Sequence, residues 1–158
     1  MTDSHFWSLA DGRRIAYAEW GEPDGFPCLL FHGSPGSRLM GKYFDEPARR
    51  AHLRIIAPDR PGFGRSDRVE KYTLLGVAED ALALADGLGL DRFAVVGVSG
   101  GAPYVYAIST LAPERITIGG VISGLAPIAD DEAEGRNANL VRTVRSNSRT
   151  ADTRMAFG

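Results

Sequence analysis

A serine between two glycines directly follows a run of small and β-branched apolar residues, and this stretch restricts the fold more than any other part of the chain. It reads VVGVSGGAPY over residues 95–104, with Ser99 between Gly97 and Gly101. A strand that ends at Val98 and a helix that begins near Gly101 leave a sharp turn for Ser99, and such a turn needs neighbours without side chains. The pattern therefore predicts a nucleophile turn that lifts the Ser99 hydroxyl clear of a sheet.

Two backbone amides are predicted to bind the oxyanion of an acyl-transfer reaction. Gly100 would lie at the N-terminus of the helix after Ser99, and Ser34 lies in FHGSPGSR, residues 31–38, after another apolar run. An oxyanion hole needs two such N–H groups directed at one point. A glycine-rich turn with an incidental serine is the alternative for residues 97–101, but the flanking strand and helix favour a nucleophile.

The neighbouring loops contain residues whose types favour structural support. His32 stands where a strand becomes a loop and precedes the nucleophile, so hydrogen bonding within its loop is favoured over a role as general base. Asp59 and Arg60, in PDRPGFGRSD at residues 58–67, have two interpretations. A loop-bracing ion pair is favoured over substrate binding. The predicted loop-supporting residues are His32, Gly33, Gly97, Gly101 and Asp59.

Apolar runs that alternate with helical spacing predict an α/β sheet. Residues 5–21 indicate an N-terminal β-hairpin with Asp11 and Gly12 at its turn. Later runs are apolar at successive positions, as in strands buried on both faces of a parallel sheet. These runs are 28–31, 53–57, 93–98 and 116–122. Flanking helices are predicted over 46–52, 73–90 and 101–112, with Thr73 as an N-cap.

Composition is that of a soluble globular protein and excludes several classes. The 158 residues are 44% hydrophobic and 24% charged, with a net charge of −2. Without a basic patch with interleaved aromatics, nucleic acid is not expected as a partner. Without about 18 consecutive apolar residues, no membrane span is expected, and a cytoplasmic location is the default. We predict no metal and no cofactor. Residues 1–135 are predicted to form the domain, and 136–158 to be the start of a cap region or a disordered tail.

Three loops together resemble those of the α/β-hydrolase family. They read HGSPG, DRPGFGRS and GVSGG, in the family's order, and HGSPG also looks like the loop of proline iminopeptidase-like members. The resemblance covers residues 5 to about 135 and implies a mostly parallel sheet in the order 1-2-4-3-5-6. It implies Ser99 as nucleophile, with Ser34 and Gly100 as oxyanion hole. A serine, where dehalogenases and epoxide hydrolases carry aspartate, implies an esterase-like enzyme that hydrolyses an ester, amide or thioester of a small acyl substrate.

The same resemblance calls for an acid and a histidine after the nucleophile, on later loops. All three histidines precede Ser99: His5, His32 and His52. Asp130 and Asp131 lie where some members place the acid, although solvated loop carboxylates are the favoured interpretation. We therefore expect the N-terminal part of a hydrolase that is truncated after about strand six. A triad serine without its base loses about 10⁶-fold in turnover, so we expect little activity from this chain alone.

The last predicted strand, residues 116–122, would be an apolar edge strand, and such edges invite pairing. We expect self-association there, or a complementing chain. A non-catalytic hydrolase remnant that acts as a binding or regulatory half-domain is therefore the alternative function. Nucleotide binding is disfavoured, because neither G-x-x-x-x-G-K-[ST] nor G-x-G-x-x-G follows a strand.

Overall fold

The computed structural model of the chain describes residues 4–124, in which six strands form one sheet. The strands are β1 (His5–Ser8), β2 (Arg14–Gly21), β3 (Phe26–Phe31), β4 (Leu53–Pro58), β5 (Phe93–Val98) and β6 (Ile116–Ile122). Their order is β1-β2-β4-β3-β5-β6; β2 is antiparallel to both of its neighbours, and the other pairs are parallel. The predicted strands, their order and the mostly parallel sheet are confirmed. The predicted tail over 136–158 lies outside the described residues.

Helices fill the connections that the sequence predicts. They are α1 (Asp45–Arg50), α2 (Leu74–Gly87) and α3 (Ala102–Leu111). The Thr73 hydroxyl accepts a hydrogen bond from the Gly76 N–H over 3.0 Å, so Thr73 is the N-cap of α2 as predicted. The sequence did not predict the 3₁₀ helix Arg38–Phe44, which follows the first loop after β3. No helix in the described part of the chain has the length and apolar character needed to cross a membrane.

The N-terminal hairpin is confirmed, and its loop contains three residues. The Leu9 N–H donates to the Arg13 carbonyl over 2.8 Å, and this hydrogen bond closes the loop formed by Ala10, Asp11 and Gly12. Gly12 has φ +87°, a conformation that favours glycine, and the Asp11 carboxylate accepts from the Arg13 N–H over 3.0 Å. These two contacts explain why the turn forms at Asp11 and Gly12.

The central strands are buried on both faces, as their continuous apolar runs predict. In β3, Leu29 and Phe31 pack on the face covered by α2 and α3, while Cys28 and Leu30 pack on the opposite face with Ala48 of α1. Complete burial of one leucine or phenylalanine side chain stabilises the fold by about 1.5–3 kcal/mol. Because β3 to β6 run in parallel, the loops that follow them meet at one end of the sheet, the carboxyl end of these strands. Ligands bind at this end in such sheets.

Candidate active site

Ser99 begins the turn that joins β5 to α3. It has φ +49°, in the left-handed region that residues other than glycine rarely adopt, and it is exposed to solvent. A short 3₁₀ turn, Ser99–Gly101, leads directly into α3. Strained backbone of this kind clusters at functional sites. The turn thus holds an accessible hydroxyl at the carboxyl end of the sheet.

The glycines on either side of Ser99 occupy positions without room for a side chain. A Cβ added to Gly97 would lie 2.5 Å from the Gly101 carbonyl oxygen, and one added to Gly101 would collide with the carbonyl oxygen of Phe31. The turn therefore packs directly against the backbone of β3. Glycine at both positions is a steric requirement of this arrangement.

The loop after β3 and the turn after β5 meet beside Ser99. A Cβ added to Gly33 would lie 3.4 Å from the Ser99 Cβ, and one added to Gly100 would lie 2.9 Å from the Ser34 Oγ and 3.4 Å from the Ser34 backbone nitrogen. The structure therefore brings Ser34 and Gly100 together next to the hydroxyl. The N-terminus of α3 lies at the same point and favours negative charge there.

His32 lies in the wall of the site with both ring nitrogens bound to backbone. Its Nδ1 lies 2.8 Å from the Gly33 carbonyl oxygen, and its Nε2 accepts a hydrogen bond from the Arg60 N–H over 3.3 Å. A carbonyl only accepts, so the proton is on Nδ1. Burial lowers the pKa of His32 and so favours the neutral ring. The ring links the loop after β3 to the loop after β4, and both of its nitrogens are used in this link.

Asp59 is fully buried and braces the same loops, but its partner is Arg38 and not its chain neighbour Arg60. Its carboxylate accepts from the Arg38 N–H over 2.5 Å, from the Arg38 Nη1 over 2.8 Å and from the Arg65 N–H over 2.9 Å. A Cβ on Gly64 would collide with this carboxylate. Because both of its oxygens accept these hydrogen bonds, Asp59 supports the loops and is not available to bind a substrate.

Arg60, for which the sequence left substrate binding open, lies beneath the Ser34 loop. Its Nη2 donates to the Ser34 Oγ over 2.7 Å and to the Gly33 carbonyl over 3.0 Å, and its Nη1 donates to the Tyr104 hydroxyl over 3.0 Å. Sequence reasoning gave no role to Tyr104. Tyr104 lies within α3 and belongs to none of the three loop motifs, so the sequence gave no signal for its contact with Arg60.

The other two histidines, His5 and His52, do not reach Ser99 in the described part of the chain. His52 precedes β4, at the opposite edge of the sheet from Ser99. His5 is on β1, four strand positions from β5, which corresponds to about 19 Å at about 4.8 Å per strand. Asp130 and Asp131 lie outside the described residues. Within residues 4–124 no group of His, Cys, Asp or Glu is arranged to hold a metal ion.

Comparison with known proteins finds relatives similar to this chain in sequence, and a solved structure similar to it in fold. A family model described as alpha/beta hydrolase fold matches residues 27–144. The chain is 37% identical over 115 residues to a 2-hydroxymuconate semialdehyde hydrolase of Pseudomonas putida, which covers 68% of the chain and 39% of the relative. It is 32% identical over 112 residues to a proline iminopeptidase of Xylella fastidiosa, which covers 68% of the chain and 35% of the relative.

The solved structure of a thioesterase domain from the curacin biosynthetic pathway has the same fold. The two superpose with a TM-score of 0.72 and 23% identity, over 93% of this chain and 55% of that chain. The chain thus spans less than half the length of both curated relatives and about half of this structure.

Proposed function

The chain belongs to the alpha/beta hydrolase fold family, and from that premise we propose that it carries the nucleophile and oxyanion hole of a serine hydrolase. One observation carries the proposal: Ser99 is exposed at φ +49° with Ser34 and Gly100 beside it. Asp59 and His32 in the neighbouring loops are buried and hydrogen-bonded within them. The Ser99 hydroxyl is therefore accessible to a substrate at the carboxyl end of the sheet, whereas the neighbouring Ser34 Oγ is engaged by Arg60.

The reaction is acyl transfer to the hydroxyl. The Ser99 Oγ forms a bond to the carbonyl carbon of an ester, amide or thioester, its proton passes to a base, and the carbonyl electrons move onto oxygen. The amides of Ser34 and Gly100 stabilise that anion. The anion then collapses, the bond to the leaving group breaks, and the leaving group takes up a proton. Water hydrolyses the acyl-enzyme by the same route.

The base must come from elsewhere, because no histidine follows Ser99 in the sequence and the three earlier ones are held away from it or bound to backbone. Asp130 and Asp131 remain candidates for the acid. We expect turnover when a segment that supplies the histidine joins the fold. Such a segment would correspond to the part of the relatives that this chain does not span.

Complementation tests the proposal. The chain is co-expressed with the unmatched C-terminal part of the Pseudomonas putida relative, the complex is isolated by gel filtration, and it is treated with a fluorophosphonate probe. Mass spectrometry should locate the label on Ser99, and the complex should hydrolyse 4-nitrophenyl acetate. Ser99→Ala should abolish both results.

Ser123→Ala is the matched control, because Ser123 is also exposed, follows a parallel strand and has φ +50°. It should retain both labelling and hydrolysis. A folded complex whose Ser99 is not labelled, or a complex that is labelled equally after Ser99→Ala, would overturn the proposal.

A second candidate function is the binding of another strand along β6, the outermost strand of the sheet. In the described residues β6 pairs with β5 alone, and it exposes Ile118, Val121 and Ile122. An apolar strand with one unpaired side recruits another strand. We propose that a second copy of the chain, or the complementing segment when present, occupies this edge.

A further inference from the structure

Arg60 is a buried cation that has no carboxylate partner among residues 4–124. Only 5% of the residue is exposed, and it takes part in none of the ion pairs within residues 4–124. The nearest acid in the chain, Asp59, is paired with Arg38. Burial of a charge that is not balanced by an opposite charge is costly. A site that retains one is suited to a negative charge that arrives during function.

The guanidinium is connected to the oxyanion site through one side chain. Its Nη2 donates to the Ser34 Oγ over 2.7 Å, and that oxygen lies 2.9 Å from the position of a Cβ on Gly100. The same nitrogen donates to the Gly33 carbonyl over 3.0 Å. Arg60 therefore holds the loop that contains the proposed Ser34 amide donor, and its charge lies next to that loop.

Aromatic rings enclose the cation. The guanidinium carbon lies 4.3 Å from the centroid of the Phe63 ring and 5.1 Å from that of Tyr104, and the Nε is buried without a hydrogen-bond partner. The rings stabilise the cation by their quadrupoles and exclude water from it. A charge is screened less in such surroundings than in water, so its field reaches an anion at the edge of the sheet.

We propose that Arg60 is a positioning residue of the oxyanion hole. It orients the Ser34 loop, and its positive charge stabilises the tetrahedral anion that forms at Ser99. The inference rests on the proposed function. It adds a full cationic charge to a site whose other donors, the Ser34 and Gly100 amides, are neutral.

Adduct formation with phenylboronic acid tests the inference without a catalytic base. The Ser99 Oγ donates a lone pair to trigonal boron, an O–B bond forms, and the hydroxyl proton passes to the buffer, so the tetrahedral adduct carries one negative charge. Boron NMR of the 158-residue chain distinguishes trigonal from tetrahedral boron and gives the Kd at each pH. We expect an adduct in the unmodified chain and none in Ser99→Ala.

Arg60→Gln keeps N–H donors but removes the charge. We expect its Kd to rise by about ten- to a hundred-fold, less than the roughly 10²–10³-fold loss in turnover on removal of a direct oxyanion donor. The pH midpoint of adduct formation should then rise by about one to two units, because one unit corresponds to a factor of ten. Arg60→Lys restores the charge and should return the midpoint to within half a unit of the unmodified chain, about a three-fold change in Kd. A purely structural role would not be rescued by Arg60→Lys, because lysine restores the charge but not the planar set of N–H donors that holds the loop.

Two further variants control the experiment. Arg115 also packs on an aromatic ring and donates to carbonyls, but it precedes β6 at the opposite edge of the sheet, so Arg115→Gln should leave the adduct unchanged. Ser34→Ala, at an exposed position, removes the link to Arg60 but keeps its charge. Its Kd should rise about three- to ten-fold, less than the loss of an oxyanion donor, and its pH midpoint should rise by about half a unit to one unit, because one unit corresponds to a factor of ten.

The outcomes separate the two proposals. If Ser99→Ala binds phenylboronic acid as the unmodified chain does, the proposed function fails. If the adduct depends on Ser99 but a folded Arg60→Gln leaves both Kd and midpoint unchanged, the role of Arg60 is overturned. Should Arg60→Gln fail to fold, an unchanged Kd in Ser34→Ala overturns the positioning of the loop by Arg60.

Discussion

Asp59 and Arg38 form an ion pair inside the fold, with 2.8 Å between the Asp59 Oδ2 and the Arg38 Nη1 and side chains that are 0% and 7% exposed. The pair joins the loop after β4 to the start of the 3₁₀ helix that follows the Ser34 loop. It thereby fixes two of the three loops around Ser99 relative to each other.

Asp59→Ala should destabilise the fold strongly. Removal of one partner of a buried pair leaves the other charge uncompensated and costs about 3–5 kcal/mol, which should lower the Tm by about 10 °C in a domain of this size. The control is Asp67→Ala, because the Asp67 ion pair with Arg14 is exposed and 3.4 Å long. Exposed pairs contribute at most about 1 kcal/mol. Equal Tm values for the two variants would contradict a special role for the buried pair.

Gly97→Ala should disturb the turn that presents Ser99. The new methyl would lie 2.5 Å from the Gly101 carbonyl oxygen, and overpacking against backbone costs about 3 kcal/mol. Gly120→Ala is the matched control on the neighbouring strand, because a Cβ there meets only the Val96 side chain at 3.4 Å. Chemical denaturation gives the free energy of unfolding, and a smaller loss for Gly97→Ala than for Gly120→Ala would show that the turn is not tightly packed.

Cys28 should make the protein less stable at alkaline pH. Burial raises the pKa of its thiol to about 12, whereas the thiol of the unfolded chain ionises near 8.5. Between these values the unfolded state has lost a proton that the folded state keeps, so stability is complete below about pH 8.5 and falls by up to about 1.4 kcal/mol per unit as pH rises.

Cys28→Ala is the test of this linkage. The variant loses some packing at every pH, but the slope of unfolding free energy between pH 9 and 10 should become flatter. This window avoids Tyr72, whose pKa burial raises to about 12 and which adds a loss of the same sign above pH 10. A slope identical to that of the unmodified chain would show that Cys28 does not ionise on unfolding in this range.

The sequence predicted the strands and helices better than it predicted which side chains contact each other. Strands buried on both faces and the Thr73 cap leave strong local signals, and these elements were found at nearly the expected bounds. The 3₁₀ helix Arg38–Phe44 was missed because it is short and is held by tertiary contacts, such as the close packing of Gly41 on the Trp20 ring. The Arg38 partner of Asp59 was missed for a related reason: 21 residues separate the two, and no periodicity links them.

The position of the site followed from local rules, whereas its supporting network did not. A serine after a strand and between glycines predicts a sharp turn, because sterics allow few alternatives. Which groups hold the Ser34 loop depends on α3, since the Tyr104 hydroxyl accepts from Arg60. Such contacts arise only when the sheet brings distant segments together.

The outer edge of β6 should control the oligomeric state of the chain. Ile118 is 66% exposed on this strand, and in the described residues nothing pairs with the outer side of β6. We expect the chain alone to form dimers or larger species in sedimentation velocity experiments. Ile118→Lys should shift it towards monomer, because a charged side chain on an edge strand opposes pairing. The control is Tyr43→Lys, at the 84% exposed Tyr43 of the 3₁₀ helix, which should leave the distribution unchanged.

The complementing segment should compete for the same edge. If a second copy and the C-terminal part of the relative both pair with β6, addition of that part should dissociate the self-associated chain in proportion to the complex that forms. Ile118→Lys should then weaken both associations, whereas Tyr43→Lys should weaken neither. Self-association that persists after the complementing segment has bound would place the contact between copies on another surface. A monomeric chain at all concentrations would remove the support that β6 gives to a binding function.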